Sequence, residues 1–208
     1  TSVSRGLGDV YKRQYRHKWN IEIIKFIIPL AFVGVLIGTF TFSYLTNDHI
    51  RMIIGLMAII FCLDYYFRKD SDKPKKPSKF ASYFWPSLSG FTSFSIHAGG
   101  LPLSFYLLPM RLDRTMYVAT AGLFYLLINL FKIFPYAYLG EMNFENIYTS
   151  LLLLPLAPLG VYFGAYLVDK IGQDWFYKIG YFCTLLAGCK LFYDCLLYTS
   201  PSPRDTEV

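Results

Sequence analysis

Long runs of apolar residues with almost no charge divide this chain, and they constrain its fold more than any other feature. Phe26 to Asn47 and Ile147 to Val168 contain no charged residue, and Phe80 to Met110 contains only His97. A helix needs about 20 apolar residues to cross a bilayer, and soluble domains rarely supply several such runs. Three further runs contain one or two charges: Ile50 to Phe67 with Arg51 and Asp64, Met116 to Gly140 with Lys132, and Trp175 to Tyr193 with Lys178 and Lys190. We therefore predict an all-α, polytopic transmembrane helical bundle with about six spans.

The positive charge of the chain lies between these apolar runs. Of the 208 residues, 54% are hydrophobic and 16% are charged, whereas soluble domains are about one quarter charged. The formal net charge is +6, and the segment 68–79 alone has six Lys or Arg against two Asp, with two prolines. Lys and Arg collect in the cytoplasmic loops of membrane proteins. We therefore predict that loop 68–79 is cytoplasmic, and the charge does not indicate a nucleic-acid partner.

The two ends of the chain differ in composition from everything between them. One DNA sequence codes for Ser4 to Gln14, and its reverse complement, read one base later and extended by one base, codes for Cys195 to Asp205. The DNA sequence resembles a transposon-based sequencing adapter. We therefore predict that 1–14 and 195–208 are adapter-derived, non-native segments, and we exclude them from the interpretation of the fold.

A short pattern occurs twice in the chain. Pro29 to Gly38 reads PLAFVGVLIG and Pro155 to Gly164 reads PLAPLGVYFG, with Pro-Leu-Ala, Gly-Val and a final Gly at identical spacing. Transporters are often built from such repeats, with the substrate site between the two halves. Two spans precede the second copy. We expect 15–67 to be the two-span end of a first repeat, 80–194 to be a four-span second repeat, and the parent protein to have a four-plus-four arrangement that is truncated here.

Glycines spaced four residues apart mark both copies of this pattern. Gly34 and Gly38 lie in the first copy, and Gly160 and Gly164 lie in the second. Small residues at this spacing let helix backbones approach closely in lipid. We therefore assign all four glycines to helix packing and none of them to chemistry.

The run from Phe80 to Met110 is too long for one simple membrane helix. Its 31 residues would extend about 46 Å as a helix, compared with a hydrocarbon core of about 30 Å. Near its centre, Gly99 and Gly100 precede Pro102, and glycine pairs with proline interrupt helices. We predict a broken span with a half-helix that begins near Gly100, and the N–H groups at the start of a helix favour an anion.

Polar side chains gather at this predicted break. Ser93, Ser95 and His97 lie there, and His97 is the only histidine inside an apolar run. Ionisable residues at membrane depth are costly and commonly functional, and histidine titrates near neutral pH, which suits proton exchange during transport. The alternative is a histidine whose polar atoms are satisfied within the helix core.

A second polar group lies on the next predicted helix. Asn129, Lys132 and Tyr136 follow Tyr125 at spacings of four, three and four residues, which places them on one helical face. Lys132 would supply positive charge for an anion, or its long side chain would reach the membrane surface. The predicted substrate-binding residues are Ser93, Ser95, His97, Gly99, Gly100, Asn129, Lys132 and Tyr136.

The chain lacks the residue sets of the main intramembrane enzymes. Its four cysteines form no CxxC pair, and no aspartate dyad accompanies the single intramembrane histidine. Quinone-linked thiol enzymes need paired cysteines, and intramembrane proteases need Ser with His or paired Asp. We predict a protein that is not an enzyme and has no cofactor or metal. Its predicted partners are the lipid bilayer and a small anionic substrate, and its oligomeric state is left open.

The chain from about residue 90 onward closely resembles the TauE/SafE family of sulfite exporters. The resemblance is carried by SFSIHAGGLPLSFYLLPMRL (93–112), INLFKIFPYAYLG (128–140) and SLLLLPLAPLGVYFGAYL (150–167), and Leu101 stands in one place where the family pattern has proline. It implies a multi-pass permease of the bacterial inner membrane for sulfite, sulfoacetate or another sulfur-containing or organic anion. The rival interpretation is a non-transporting membrane scaffold whose polar side chains only hold helices together.

Overall fold

The computed structural model describes residues 18–41, 47–67, 73–139 and 156–199. Within these residues the structure is entirely helical, so the all-α prediction is confirmed. The apolar runs fold into seven α-helices and one 3-10 turn: α1 Ile21–Thr41, α2 Asn47–Phe67, α3 Lys79–Ser95, α4 Gly100–Leu107, the turn Leu108–Met110, α5 Arg114–Tyr138, α6 Leu156–Lys170 and α7 Gln173–Thr199.

Three of the described helices are long and apolar enough to cross a membrane. They are Ile21–Thr41, His49–Phe67 and Arg114–Tyr138. Helices α3 and α6 have 17 and 15 residues, fewer than the roughly 20 that a span needs. The first part of the predicted span that contains α6, residues 147–155, lies outside the described residues. The number of six spans therefore stays a prediction.

Helix α7 ends later than the sequence composition indicates. It continues to Thr199, beyond the predicted boundary at Asp194. Cys195 is buried, with 3% of its surface exposed, and the next two residues are leucines, so the apolar pattern of the helix does not stop at that boundary. The assignment of the ends to an adapter stays a prediction, and residues 1–17 and 200–208 lie outside the described part of the chain.

The chain divides into two compact units, of which the first contains 1–29 and 112–176. In this unit Asp113 caps α5, because its carboxylate accepts the N–H of Thr115 at 2.9 Å. The Gln173 side chain accepts the N–H of Arg114 at 3.0 Å and donates to the carbonyl of residue 112 at 2.7 Å. The beginning of α5 is therefore fixed to the connection between α6 and α7.

The second unit contains 30–111 and 177–208. In it, α1 and α3 cross backbone to backbone. A Cβ atom added to Gly34 would overlap the carbonyl oxygen of Ser87, and one added to Gly90 would overlap the carbonyl oxygen of Ala31. Only glycine permits this approach, which is the physical use of small residues at helix crossings in lipid.

A second close crossing in this unit joins α2 to α7. A Cβ atom added to Gly55 would lie 2.8 Å from the carbonyl oxygen of Gly188, and one added to Gly188 would lie 2.6 Å from the Cβ of Ala58. Beside this crossing, α2 and α4 bury a common apolar cluster. Its members are Ile50, Ile54, Ala58, Leu101 and Phe105.

The two predicted glycine pairs lie in different environments. A Cβ atom at Gly38 would lie 3.1 Å from the ring of Phe94, so both glycines of the first pair face α3. At Gly160 and Gly164 no described atom lies within 4 Å of such a Cβ. The packing role of the second pair stays a prediction.

This difference predicts unequal effects of the same substitution. Gly34→Ala is expected to lower the free energy of unfolding by about 3 kcal/mol, because its Cβ meets backbone that cannot turn aside. Gly160→Ala is expected to raise it by about 0.5–1 kcal/mol, because alanine favours a helix and no described atom obstructs it. Thermal unfolding of the two purified variants in one detergent measures both effects. Equal destabilisation would contradict this assignment.

Candidate functional site

The run 79–110 folds as a helical hairpin. Helix α4 runs antiparallel to α3, because the rings of Trp85 and Phe105 lie 5.0 Å apart while the Ser89 hydroxyl reaches the carbonyl of Gly99 at the other end of the two helices. At the open end, the N–H of Lys75 donates to the carbonyl of Pro109 at 2.8 Å. The beginning and the end of the hairpin therefore lie side by side.

The hairpin corrects one part of the sequence interpretation. The break lies where the glycines predict it, and α4 begins at Gly100. The sequence predicts this run as one broken span, whereas in the structure α4 returns along α3. The physical cause is the backbone of His97, whose φ of 55° is left-handed and turns the chain back.

Contacts with the last turns of α3 fix the tip of the hairpin. The carbonyl of Thr92 accepts the N–H groups of Ile96 and Ala98, both at 3.1 Å. The Ser89 hydroxyl donates to the carbonyl of Gly99 at 2.7 Å. A Cβ atom on Gly99 would lie only 2.6 Å from the Ser89 carbonyl oxygen, so this position requires glycine. Sequence reasoning did not select Ser89, because its contact follows from the reversal of the chain.

Most of the N–H groups at the start of α4 already have partners. The N–H of Leu101 donates to Ala98 and that of Leu103 donates to Gly99, each at 3.3 Å, and Pro102 has no N–H. Fewer N–H groups are therefore open to an anion than the sequence predicts. The Gly100 N–H is the remaining candidate in the first turn of α4.

The polar side chains at the tip differ in exposure. Ser93 is buried, with 6% exposure, and the Cβ of a side chain at Gly99 would touch it. Ser95 is partly exposed and His97 is exposed. The tip therefore presents His97 outward from a closely packed backbone turn, while Ser93 belongs to the packing beneath it.

The polar stripe of α5 lies beside the buried face of that helix. The buried face contains Phe124, Ile128 and Lys132, and Lys132 is 6% exposed. Asn129 is exposed, although sequence periodicity places it on the same face as Lys132. Lys132 therefore lies at the border between the stripe and the buried face.

The Lys132 side chain lies beside an aromatic ring. Its Nζ is 6.0 Å from the ring centre of Tyr136, one turn further along α5, within the range of a cation–π interaction. Lys132 and Tyr136 belong to the first unit, and the hairpin tip belongs to the second. A single pocket formed by both groups stays a prediction. Among the described residues, no group of three or more His, Cys, Asp or Glu side chains is placed to hold a metal ion.

The profile of the sulfite exporter TauE/SafE family matches residues 3–191 of this chain. The chain belongs to this family. The family resemblance inferred from the sequence is therefore confirmed, and this TauE/SafE protein is a membrane transporter. The matched range includes the hairpin and α5, and it also overlaps residues 3–14, which were predicted to be adapter-derived. The chain has no significant match among curated proteins or among solved structures.

Proposed function

We propose that this TauE/SafE protein is a permease for a small anion, such as sulfite, sulfoacetate or another sulfur-containing or organic anion. The observation that carries the proposal is the hairpin tip, an interrupted helix within an apolar run that presents His97 and begins a new helix at Gly100. Irregular backbone at membrane depth is tolerated where it packs in protein or lines a cavity. A helix start and a histidine are both suited to hold a negative charge.

The second element of the proposed site is Lys132. Its side chain is nearly inaccessible in the first unit, and a lysine in a membrane helix is expensive unless it pairs or serves a pathway. The proposed substrate-binding residues of the first unit are Asn129, Lys132 and Tyr136. Those of the second unit are Ser93, Ser95, His97, Gly99 and Gly100.

The proposed setting is the inner membrane of a bacterium, with loop 68–79 in the cytoplasm. Six basic side chains in that loop support this orientation through the positive-inside rule. The four-plus-four repeat remains part of the proposal, with the hairpin 80–110 in the place of one of its spans. It is supported by the matching patterns that begin at Pro29 and Pro155.

Anion flux in proteoliposomes tests the function. Vesicles that contain the protein are expected to release or accumulate sulfite or sulfoacetate faster than protein-free vesicles. Flux of neither anion, nor of other sulfur-containing or small organic anions, would favour the rival interpretation of a non-transporting scaffold.

Two substitutions at His97 separate its role in transport from its role in the turn. His97→Asn keeps a side chain that tolerates the left-handed backbone and forms hydrogen bonds, but it does not titrate near neutral pH. It is expected to lower flux by about 100-fold, the lower end of what a positioned proton-transfer group contributes.

His97→Gly is the matched variant for the turn. It is expected to raise the free energy of unfolding by about 1 kcal/mol, because glycine relieves the left-handed strain, and to lose transport as well. If His97→Asn transported at the rate of the unchanged protein, the proposed role of the imidazole would be wrong.

A further inference from the structure

A small pocket lies at the open end of the hairpin, away from the residues proposed for transport. It is built entirely within the second unit, where the backbone bond from Lys75 to Pro109 joins the hairpin to the preceding loop. The residues that line it are Phe61, Asp64, Tyr65, Lys73, Lys75, Pro109 and Tyr181. Nothing in the transport proposal uses this pocket.

One wall of the pocket is a stack of aromatic rings. The rings of Tyr65 and Tyr181 are nearly parallel, at 6°, with their centres 3.5 Å apart, and Phe61 stacks on Tyr181 at 5.5 Å. Tyr65 and Tyr181 are both buried, with 8% and 3% exposure. The wall is therefore closely packed and presents only a small part of its rings to the pocket.

An arginine bonds to one of the rings of this wall. Arg111, the residue that follows the 3-10 turn, donates from Nη2 to the Tyr65 hydroxyl at 3.1 Å. Its guanidinium group also lies 5.0 Å from the ring centre of Tyr177, which is within cation–π range. The arginine places a fixed positive charge close to the edge of the aromatic stack.

The rim of the pocket carries the other charges. Lys73 and Lys75 are exposed, and Asp64 is exposed as well. Two lysines and one aspartate give the lining residues a net charge of +1, to which the neighbouring Arg111 adds another. A positive rim above an apolar aromatic wall fits an amphiphile with an anionic head more closely than a small free anion.

The position of the pocket along α2 indicates its depth. The apolar stretch His49–Phe67 ends three residues after Asp64, so Asp64 and Tyr65 lie in the last turn of a candidate span. Tyrosines concentrate at this level of a bilayer, and clusters of basic residues beside a span attract anionic lipids. The pocket is therefore at the membrane surface, on the side of loop 68–79.

We infer that this pocket binds the phosphate headgroup of an anionic phospholipid, with Lys73 and Lys75 at the phosphate and the Tyr65–Tyr181 stack as the wall beside it. This inference is independent of which anion the protein transports. It assigns Lys73 and Lys75 a binding role in addition to their effect on orientation.

The test measures lipid binding to the purified protein in phosphatidylcholine nanodiscs. Added phosphatidylglycerol is expected to raise the midpoint of thermal unfolding by about 3 °C, the shift that about 1 kcal/mol of binding gives for a chain of this size. In Lys73→Gln/Lys75→Gln its apparent affinity is expected to fall about 30-fold, the factor that corresponds to about 1 kcal/mol for each lysine.

A matched control and a soluble probe decide between the outcomes. Lys18→Gln/Lys25→Gln removes two exposed lysines that do not line the pocket, and it is expected to keep the affinity. An equal loss in both double variants would overturn the inference, because it would reflect total charge alone. An equal stabilisation by inorganic phosphate would overturn the assignment to a lipid. Binding is measured without transport, so failure here and failure of the flux experiment are distinguishable.

Discussion

Replacing Lys132 with methionine is expected to abolish anion transport while leaving the protein as stable as before or more stable. Lys132 is 6% exposed and lies in α5, one of the three helices that are long and apolar enough to span a membrane. A lysine inside a membrane helix is costly, by up to about 2.5–3.5 kcal/mol at the helix centre on insertion scales. Methionine has a similar length without that cost, so packing alone gives no reason to retain the lysine.

Two further variants give this experiment its controls. Lys132→Arg keeps the charge and is expected to keep part of the flux, although the guanidinium group has a different shape and hydration. Lys25→Met removes an exposed lysine of α1 and is expected to leave transport unchanged. Undiminished flux through Lys132→Met would show that the side chain only reaches toward the membrane surface, the alternative left open by the sequence.

Cysteines placed at the two ends of the hairpin are expected to react from the same side of the membrane. The N–H of Lys75 and the carbonyl of Pro109 are 2.8 Å apart, so no bilayer can separate their neighbours. In a background without the native cysteines, Lys76→Cys and Met110→Cys are expected to react with a membrane-impermeant maleimide in the same vesicle orientation. Labelling of each cysteine is expected to be complete in one vesicle orientation and absent in the other, because the reagent does not cross the bilayer.

The labelling experiment distinguishes the hairpin from a continuous broken span. In a span that crosses once, positions 76 and 110 would react in opposite vesicle orientations. That result would contradict the antiparallel packing of α3 and α4. Reaction of both positions only from the outside would instead retain the hairpin and overturn the proposed cytoplasmic location of loop 68–79.

The helices of this protein follow from its sequence with little help from tertiary contacts. The apolar runs predict α1, α2 and α5 to within six residues at each end, because a long apolar run in lipid must satisfy its backbone groups within one helix. The glycine pair at Gly99 and Gly100 predicts the break for an equally local reason. Family membership was also accessible from the sequence, through the residues on both sides of that break.

The arrangement of the candidate site could be predicted less completely from the sequence. Periodicity places Asn129 and Lys132 on one face of α5, but it gives only their relative angle on the helix. The direction in which that face points depends on neighbouring helices, and the structure exposes Asn129 while it buries Lys132. Sequence spacing does not predict the partners of Ser89 and Arg111, because Ser89 meets Gly99 across the hairpin turn and Arg111 meets Tyr65 of α2.

The sequence by itself determined that this protein is helical, that it belongs in a membrane and where its longest apolar run breaks. Only the tertiary structure decided which way the chain goes after the break. That decision rests on one left-handed residue, His97, and on the close approach of Gly99 to Ser89. The physical reason is that hydrophobicity and glycine content act locally along the chain. The direction of a turn is instead selected by contacts between the two segments that the turn joins.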